Sequence, residues 1–181
     1  MSNVSLTVAK SAKNDEFYTR FEDISEEVNH YEGIFRGKTV FCNCDDPKRS
    51  NFWRYFHLNF HCLGLRKLIA THYEGFKLQT YKIEYEGGSD EDFEEGVITP
   101  LQQNGDFRSE ECQAVLDEAD IVCTNPPFSL FREYVANLVE RGKQFEIVGE
   151  FKHGCDSELD LAKPVINGEE KFMRLAIRRK K

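Results

Sequence analysis

Two rhythms of apolar residues alternate along the chain: stripes spaced three or four apart, and short unbroken runs. From Thr19 to about Tyr31, the residues Phe21, Ile24, Val28 and Tyr31 form the stripe of an amphipathic helix. Residues 38–44 are a short β-rich run that ends at Asp45, Asp46 and Pro47, where the proline prevents further ladder pairing. Ser50 is placed to cap a second helix carrying Phe52, Trp53, Phe56, Phe60 and Leu63, which Gly64 stops. Residues 67–71 read as a second strand. Residues 76–85 alternate imperfectly into Gly87 and Gly88, as a hairpin arm would, and residues 96–100 complete that excursion. A helix over 109–118, capped by Ser109, precedes a third strand over 119–124, broken by Asn125, Pro126 and Pro127. A further helix from Ser129 carries Leu130, Phe131, Tyr134, Val135 and Leu138 and ends near Gly142; residues 145–149 follow as a fourth strand. Residues 164–177 read as a hairpin about Asn167-Gly168. The alternation predicts an α/β fold with a mostly parallel sheet covered on both faces, closed by a C-terminal antiparallel hairpin. Ligands of such sheets gather beyond the carboxyl ends of the strands, which selects residues 43–47, 71–74 and 124–128.

Composition narrows the class. A chain of 181 residues with 40% apolar content is one ordinary domain that can bury a core without staples. Fifteen Phe and seven Tyr argue against disorder although 31% of residues are charged. The absence of a long apolar run and of a basic-flanked apolar leader leads us to expect a soluble, cytoplasmic protein. Of the six cysteines, Cys42, Cys44, Cys62 and Cys123 read as small buried hydrophobes; there is no Cys-x-x-Cys pair, so reduced thiols are expected. His57 and His61 are spaced i,i+4 without a third ligand and read as packing or surface residues, with no metal. Trp53 and its Phe neighbours read as core. A net charge of −8 argues against binding nucleic acid by positive potential alone. The acidic run 90–95 and the basic tail 178–181 read as a solvated loop and a solubilising tail.

The chemistry concentrates at Asn125-Pro126-Pro127-Phe128. Two prolines fix φ near −65° twice, remove two backbone donors and push their predecessors into extended geometry. The resulting stiff corner offers two acceptors, the Asn125 side-chain oxygen and the Pro126 carbonyl, to a group with two N–H donors, and Phe128 offers a face for a planar ring. An aromatic amine is a poor nucleophile because its lone pair is delocalised. Accepting both its hydrogens draws the nitrogen towards tetrahedral geometry, an interaction that strengthens as charge develops on the amine. Without that chemistry, the same string would be a proline-rich turn.

Asn-Pro-Pro-Phe after a β-run resembles the catalytic motif of S-adenosylmethionine-dependent amino methyltransferases. Residues 13–19, 42–53, 105–109, 120–135, 145–168 and 174–180 make the chain similar to the EcoRI-type adenine-specific DNA methyltransferases from about residue 13 onward. The resemblance implies a Rossmann-like methyltransferase sheet, S-adenosylmethionine as cofactor and adenine-containing DNA as substrate. It also implies in-line transfer of the sulfonium methyl to the adenine amine, with no covalent enzyme intermediate or metal. By the same resemblance Phe17, Tyr18 and Thr19 pack against the methionine part of the cofactor. Asp45, Asp46 and Pro47 form the first strand-to-helix turn at the cofactor, where most methyltransferases carry a Gly-rich loop. Asp106 meets the cofactor's adenine amine, Phe107 lies on its ring, and residues 71–74 line its ribose edge. Read alone, Asp45 and Asp46 could simply cap the next helix, and residues 105–107 could be an ordinary turn.

The chain departs from that family in length. Family members carry a large target-recognition segment between the helix after Asn-Pro-Pro-Phe and the terminal hairpin, whereas here one methyltransferase-like domain over 1–181 lacks it between about 142 and 149. Extruding a base costs a few kcal/mol that duplex contacts normally offset. Three readings therefore stand: an adenine methyltransferase acting on single strands or with a protein partner that supplies recognition; a silent remnant that binds cofactor or a partner; and methylation of protein glutamine amides, which the stretches outside the motif disfavour.

Overall fold

Thr39–Cys42 (β1) is buried at every position, as a strand covered on both faces must be. Its neighbours run parallel to it: Lys67–Thr71 (β2) on one side and Ile121–Thr124 (β5) on the other. The computed structural model describes residues 19–44, 46–73, 79–88, 96–151, 165–166, 169–170 and 173–179. Tyr81–Tyr85 (β3) and Val97–Pro100 (β4) extend the sheet antiparallel beyond β2; Gln144–Phe151 (β6) and Met173–Arg179 (β9) extend it parallel beyond β5. The seven-stranded order is β4-β3-β2-β1-β5-β6-β9. The expected α/β, mostly parallel sheet is present.

Side chains alternate across the central strands and separate two cores. Val40, Cys42, Leu68, Ala70, Ile121 and Cys123 face one of them. This core is covered by the helices Phe21–Val28 (α1), Asn51–Leu58 (α2) and Phe60–Leu63 (α3), through Ile24, Val28, Phe52, Trp53, Phe56, Phe60 and Leu63. Phe41, Ile69, Val122 and Phe145 face the other, under Glu110–Glu118 (α4) and Phe131–Glu140 (α5). Each fully buried large apolar side chain contributes about 1.5–3 kcal/mol, which makes these aromatics the main stabilising content of the first core.

The elements differ from expectation in their ends. The first helix stops at Val28 and tightens into a 3₁₀ segment over Asn29–Phe35, with a break at Tyr31. The second is capped by Ser50, whose hydroxyl accepts from the Trp53 amide at 3.4 Å, and splits at Asn59 before Gly64 ends it at φ 65°. Ser109 caps α4 in the same way, accepting from Cys112 at 3.2 Å. The excursion after β2 joins the main sheet through β3, although residues 76–78 and the acidic run 90–95 lie outside the described residues. The terminal hairpin is confined to a short antiparallel pair, Val165–Ile166 (β7) and Glu169–Glu170 (β8); the chain beyond it, β9, pairs parallel with β6.

Side-chain expectations are refined too. Cys42 and Cys123 are buried and Cys44 half-buried, but Cys62 is exposed, because Phe60 and Leu63 take the inward face of α3. None of the five described cysteines is in a disulfide. His57 is fully buried with its ring 4.1 Å from that of Tyr85, a core packing residue, and His61 lies on the surface near the Gly88 carbonyl. Glu146 is unexpected: on β6 it is fully buried, and its carboxyl has no hydrogen-bond partner among the described residues. Burial, and secondarily the carboxylate of Glu27, pushes it up to about 8.

Candidate active site

The winding of the sheet reverses at β1, because the chain adds β2 on one side and returns to add β5 on the other. A crevice opens at the carboxyl ends of two strands that diverge in this way. The turn leaving β1 is made without glycine: Cys44 takes φ 67°, and its thiol lies 3.5 Å from the Asn43 side-chain oxygen. A non-glycine residue there is held at a cost of about 1–2 kcal/mol. Cys44→Gly is therefore expected to raise stability by up to about 1 kcal/mol once its added chain entropy is counted, and Cys44→Val to lower it by more than that. Urea melts of the two variants check both signs.

Asp46 organises the rest of that turn. Its carbonyl accepts from the amides of Arg49 (2.9 Å) and Ser50 (2.7 Å), and its Oδ1 accepts from the Lys48 amide at 3.1 Å. Capping of α2 falls to Ser50, so the Asp46 carboxylate is directed elsewhere: the Tyr81 hydroxyl donates to it at 3.3 Å, and His72 Nδ1 lies 3.7 Å away. Pro47 is buried. Thr19 is tied to the same corner, its carbonyl accepting from Asn51 Nδ2 at 2.8 Å. Phe17, Tyr18 and Asp45 lie outside the described residues. At the end of β2, Thr71 is fully buried and so presents no edge to a ligand, contrary to expectation; His72 is half-buried and Tyr73 exposed.

The loop before α4 presses against that strand end. Gly105 has φ 73°, and a Cβ on it would meet the His72 carbonyl oxygen at 2.1 Å. Gly105→Ala should accordingly destabilise the fold by about 2–4 kcal/mol, through left-handed strain and overpacking against backbone, as a shift in urea midpoint would show. The next residue, Asp106, is gripped by Arg108, whose Nε and Nη2 donate at 2.8 and 2.6 Å and whose amide donates at 2.9 Å. Those bonds hold the Asp106 carboxyl below the usual carboxylate range. Phe107 is buried against the Tyr134 ring at 5.0 Å, with the Arg108 guanidinium 5.2 Å from its centre.

Beyond β5, Asn125 and Pro127 are half-buried and Pro126 is buried. The Pro127 carbonyl accepts the Leu130 amide at 3.0 Å, closing the turn into the 3₁₀ segment Phe128–Leu130. The Pro126 carbonyl receives no hydrogen bond among the described residues. Two buried bonds join this corner to β1: the Thr124 hydroxyl donates to the Asn43 carbonyl, and the Tyr134 hydroxyl donates to Asn43 Oδ1.

The expected segments thus form one linked rim: Thr19 to the start of α2, Asp46 to His72 and Tyr81, Gly105 to His72, Phe107 to Tyr134, and Tyr134 through Asn43 to Thr124. Pattern reading placed Asn43 among the strand-end candidates without a role, and missed Tyr134 and Tyr81. Tyr134 lies on an apolar helical stripe and reads as core; only a hydroxyl among carbons could have marked it as a donor. Among the described residues no three His, Cys, Asp or Glu side chains gather as metal ligands, and no helix is long and apolar enough to cross a membrane.

A family model described as adenine-specific methyltransferase EcoRI matches residues 5–157. The Type II methyltransferase M.MpnI of Mycoplasma pneumoniae is 48% identical over 141 residues, covering 78% of this chain and 42% of that protein. M.EcoRI of Escherichia coli is 44% identical over 158 residues, covering 81% and 48% respectively. M.MgeORF184P of Mycoplasma genitalium is 43% identical over 141 residues, covering 78% and 42%. The chain spans less than half the length of these relatives. No solved structure matches it.

Proposed function

Because the chain belongs to the EcoRI-type adenine-specific methyltransferase family, we propose that it is an S-adenosylmethionine-dependent domain that methylates the exocyclic amine of adenine in DNA. The observation that carries the reading is the double-proline corner at the carboxyl end of β5, bonded through Asn43 to the turn after β1. The surrounding groups suit the cofactor's chemistry: carboxylates of Asp46 and Asp106 for a cationic, hydroxyl- and amine-bearing ligand, with the Tyr73 ring exposed nearby in sequence at the end of β2.

When bound, S-adenosylmethionine supplies an electrophilic methyl on a sulfonium. Asn125 Oδ1 and the Pro126 carbonyl accept the two hydrogens of the adenine amine and bring its lone pair into line, Pro127 keeps the corner stiff, and Phe128 stacks on the base. Thr19, with Phe17 and Tyr18, seats the methionine part. Asp46, with Asp45 and Pro47, forms the cofactor turn. Asp106 keeps accepting capacity beyond its bonds to Arg108 for the cofactor's adenine amine. Phe107, expected on the cofactor's adenine ring, is buried against Tyr134, so in this proposal it supports Arg108 and Tyr134 rather than stacking on that ring.

The domain is one unit whose recognition segment is missing between about 142 and 149. Support comes from the short connection between α5, ending at Glu140, and β6, starting at Gln144. A chain of net charge −8 without that segment grips a duplex weakly, so recognition falls to a protein partner or the substrate is single-stranded, in the cytoplasm. The short connection at 142–149 also supports a second reading, a silent remnant that binds the cofactor or a protein partner without turnover.

Titration calorimetry with S-adenosylmethionine, followed by tritiated methyl transfer to single- and double-stranded adenine-containing DNA, separates the two. Binding with transfer to DNA is the expected outcome. Binding without transfer identifies the remnant, and transfer to protein but not DNA restores the glutamine reading.

A further inference from the structure

Strands that diverge at a winding reversal lose their ladder, and whatever spans the gap sets its width. Among the described residues the register of β1 with β5 runs Val40↔Ile121 and Phe41↔Val122 and goes no further. Beyond it, side chains cross: Thr124 donates to the Asn43 carbonyl and Tyr134 donates to Asn43 Oδ1. All three residues are buried: Asn43 is 4% exposed, and Thr124 and Tyr134 are each 1% exposed. Asn43 stands immediately before the left-handed Cys44 and the Asp46 turn. Thr124 stands immediately before Asn125, and Tyr134 is on the helix that leaves the proline corner. Both ends of the corner are therefore fastened to one residue of the cofactor turn.

We propose that Asn43 is a positioning residue which, by accepting from Thr124 at its carbonyl and from Tyr134 at its side-chain oxygen, fixes the methyl-donor turn relative to the amine-accepting corner. In-line transfer needs the reacting atoms held to a few tenths of an ångström, and a misplacement of about 1 Å costs on the order of a hundredfold in rate. The prolines make the corner stiff but do not locate it; a rigid loop hinged at both ends still needs an anchor. Burial pushes the Tyr134 phenol well above its usual value, so it remains a donor at any working pH. Because each bond is shielded from water, its removal is felt at both ends. The inference rests on the methyltransferase reading for its role in transfer, but the clamp itself is a property of the ligand-free fold.

Amide hydrogen exchange on the whole chain tests it, with Tyr134→Phe and Thr124→Val as variants that remove one hydroxyl each at nearly constant volume, and Thr124→Ser as the variant that restores one. Without ligand, both hydroxyl deletions should speed exchange around 40–44 and around 128–133 together, by about tenfold or more. Acceleration on one side only overturns the clamp. With S-adenosylmethionine, wild-type protein should gain protection in both stretches. The variants should bind with affinity within about threefold of wild type yet lose the protection at 128–133, and Thr124→Ser should recover it. Protection that survives both deletions overturns the proposal. In turnover assays kcat falls while KM for S-adenosylmethionine holds. If wild-type protein fails to bind S-adenosylmethionine, the methyltransferase reading falls and the ligand-free exchange alone decides the clamp.

Discussion

Asn125→Ala should remove methyl transfer by about 10²–10³-fold or more while S-adenosylmethionine still binds within about twofold of wild type. The physical reason is that the Asn125 oxygen interacts most strongly with an amine whose hydrogens have become acidic, a condition met only as the new N–C bond forms. On the proposed assignment the cofactor is seated by other residues: the Asp46 turn, the Thr19 tie to α2 and the loop at Asp106. Asn125→Asp separates acceptor chemistry from shape. It keeps an oxygen at the same reach and should retain a measurable fraction of transfer, whereas a purely structural role for Asn125 would make Asp and Ala equally damaging. Single-turnover rates at saturating cofactor are the proper measure, and undiminished transfer by Asn125→Ala refutes the assigned role.

Glu146→Gln should stabilise the chain by an amount that grows with pH. A carboxyl at about 8 in the fold, against 4.5 when unfolded, keeps its proton in the native state after the unfolded chain has released its own. The unfolded state therefore binds fewer protons between these values, and stability falls as pH rises through that window. The full difference is on the order of 5 kcal/mol above pH 8 and vanishes below about pH 4. Burial is the larger cause and the neighbouring Glu27 the smaller, so Glu27→Gln should recover only a minor part. Urea unfolding of wild type and Glu146→Gln from pH 4 to 9 checks it: the wild-type stability should slope downward relative to a variant that carries no titrating group at this position. Parallel curves would mean the carboxyl titrates normally in the fold.

Much of the architecture is legible in the chain because the local signals and the tertiary ones agree. Ser50 and Ser109 each cap the helix that their position announces, and the mostly apolar, fully buried runs of β1 and β5 are the central strands that two-sided burial demands. Where they disagree, the packing decides. Asn59 splits α2 from α3 although the apolar stripe runs on, and β9 joins the parallel sheet beside β6 although Asn167-Gly168 suggests a longer hairpin. The site is legible only as positions. Asn125, Pro126 and Asp46 stand out by type and by their place after strands, but the pairing of Asn43 with residues 81 and 91 positions away carries no local signature. Glu146 is equally invisible: a lone acid in a β-run reads as a solvent-facing position until the strand is found to lie between two others.

The most direct measurement is nucleoside mass spectrometry of adenine-containing DNA, in single strands and duplex, after incubation with the full chain and S-adenosylmethionine. The account predicts a methyl group on the N6 amine of adenine alone, absent when the Asn125→Ala chain is used. Cofactor that binds while every adenine stays unmodified, or methyl that accumulates on cytosine or on protein amides, would contradict it.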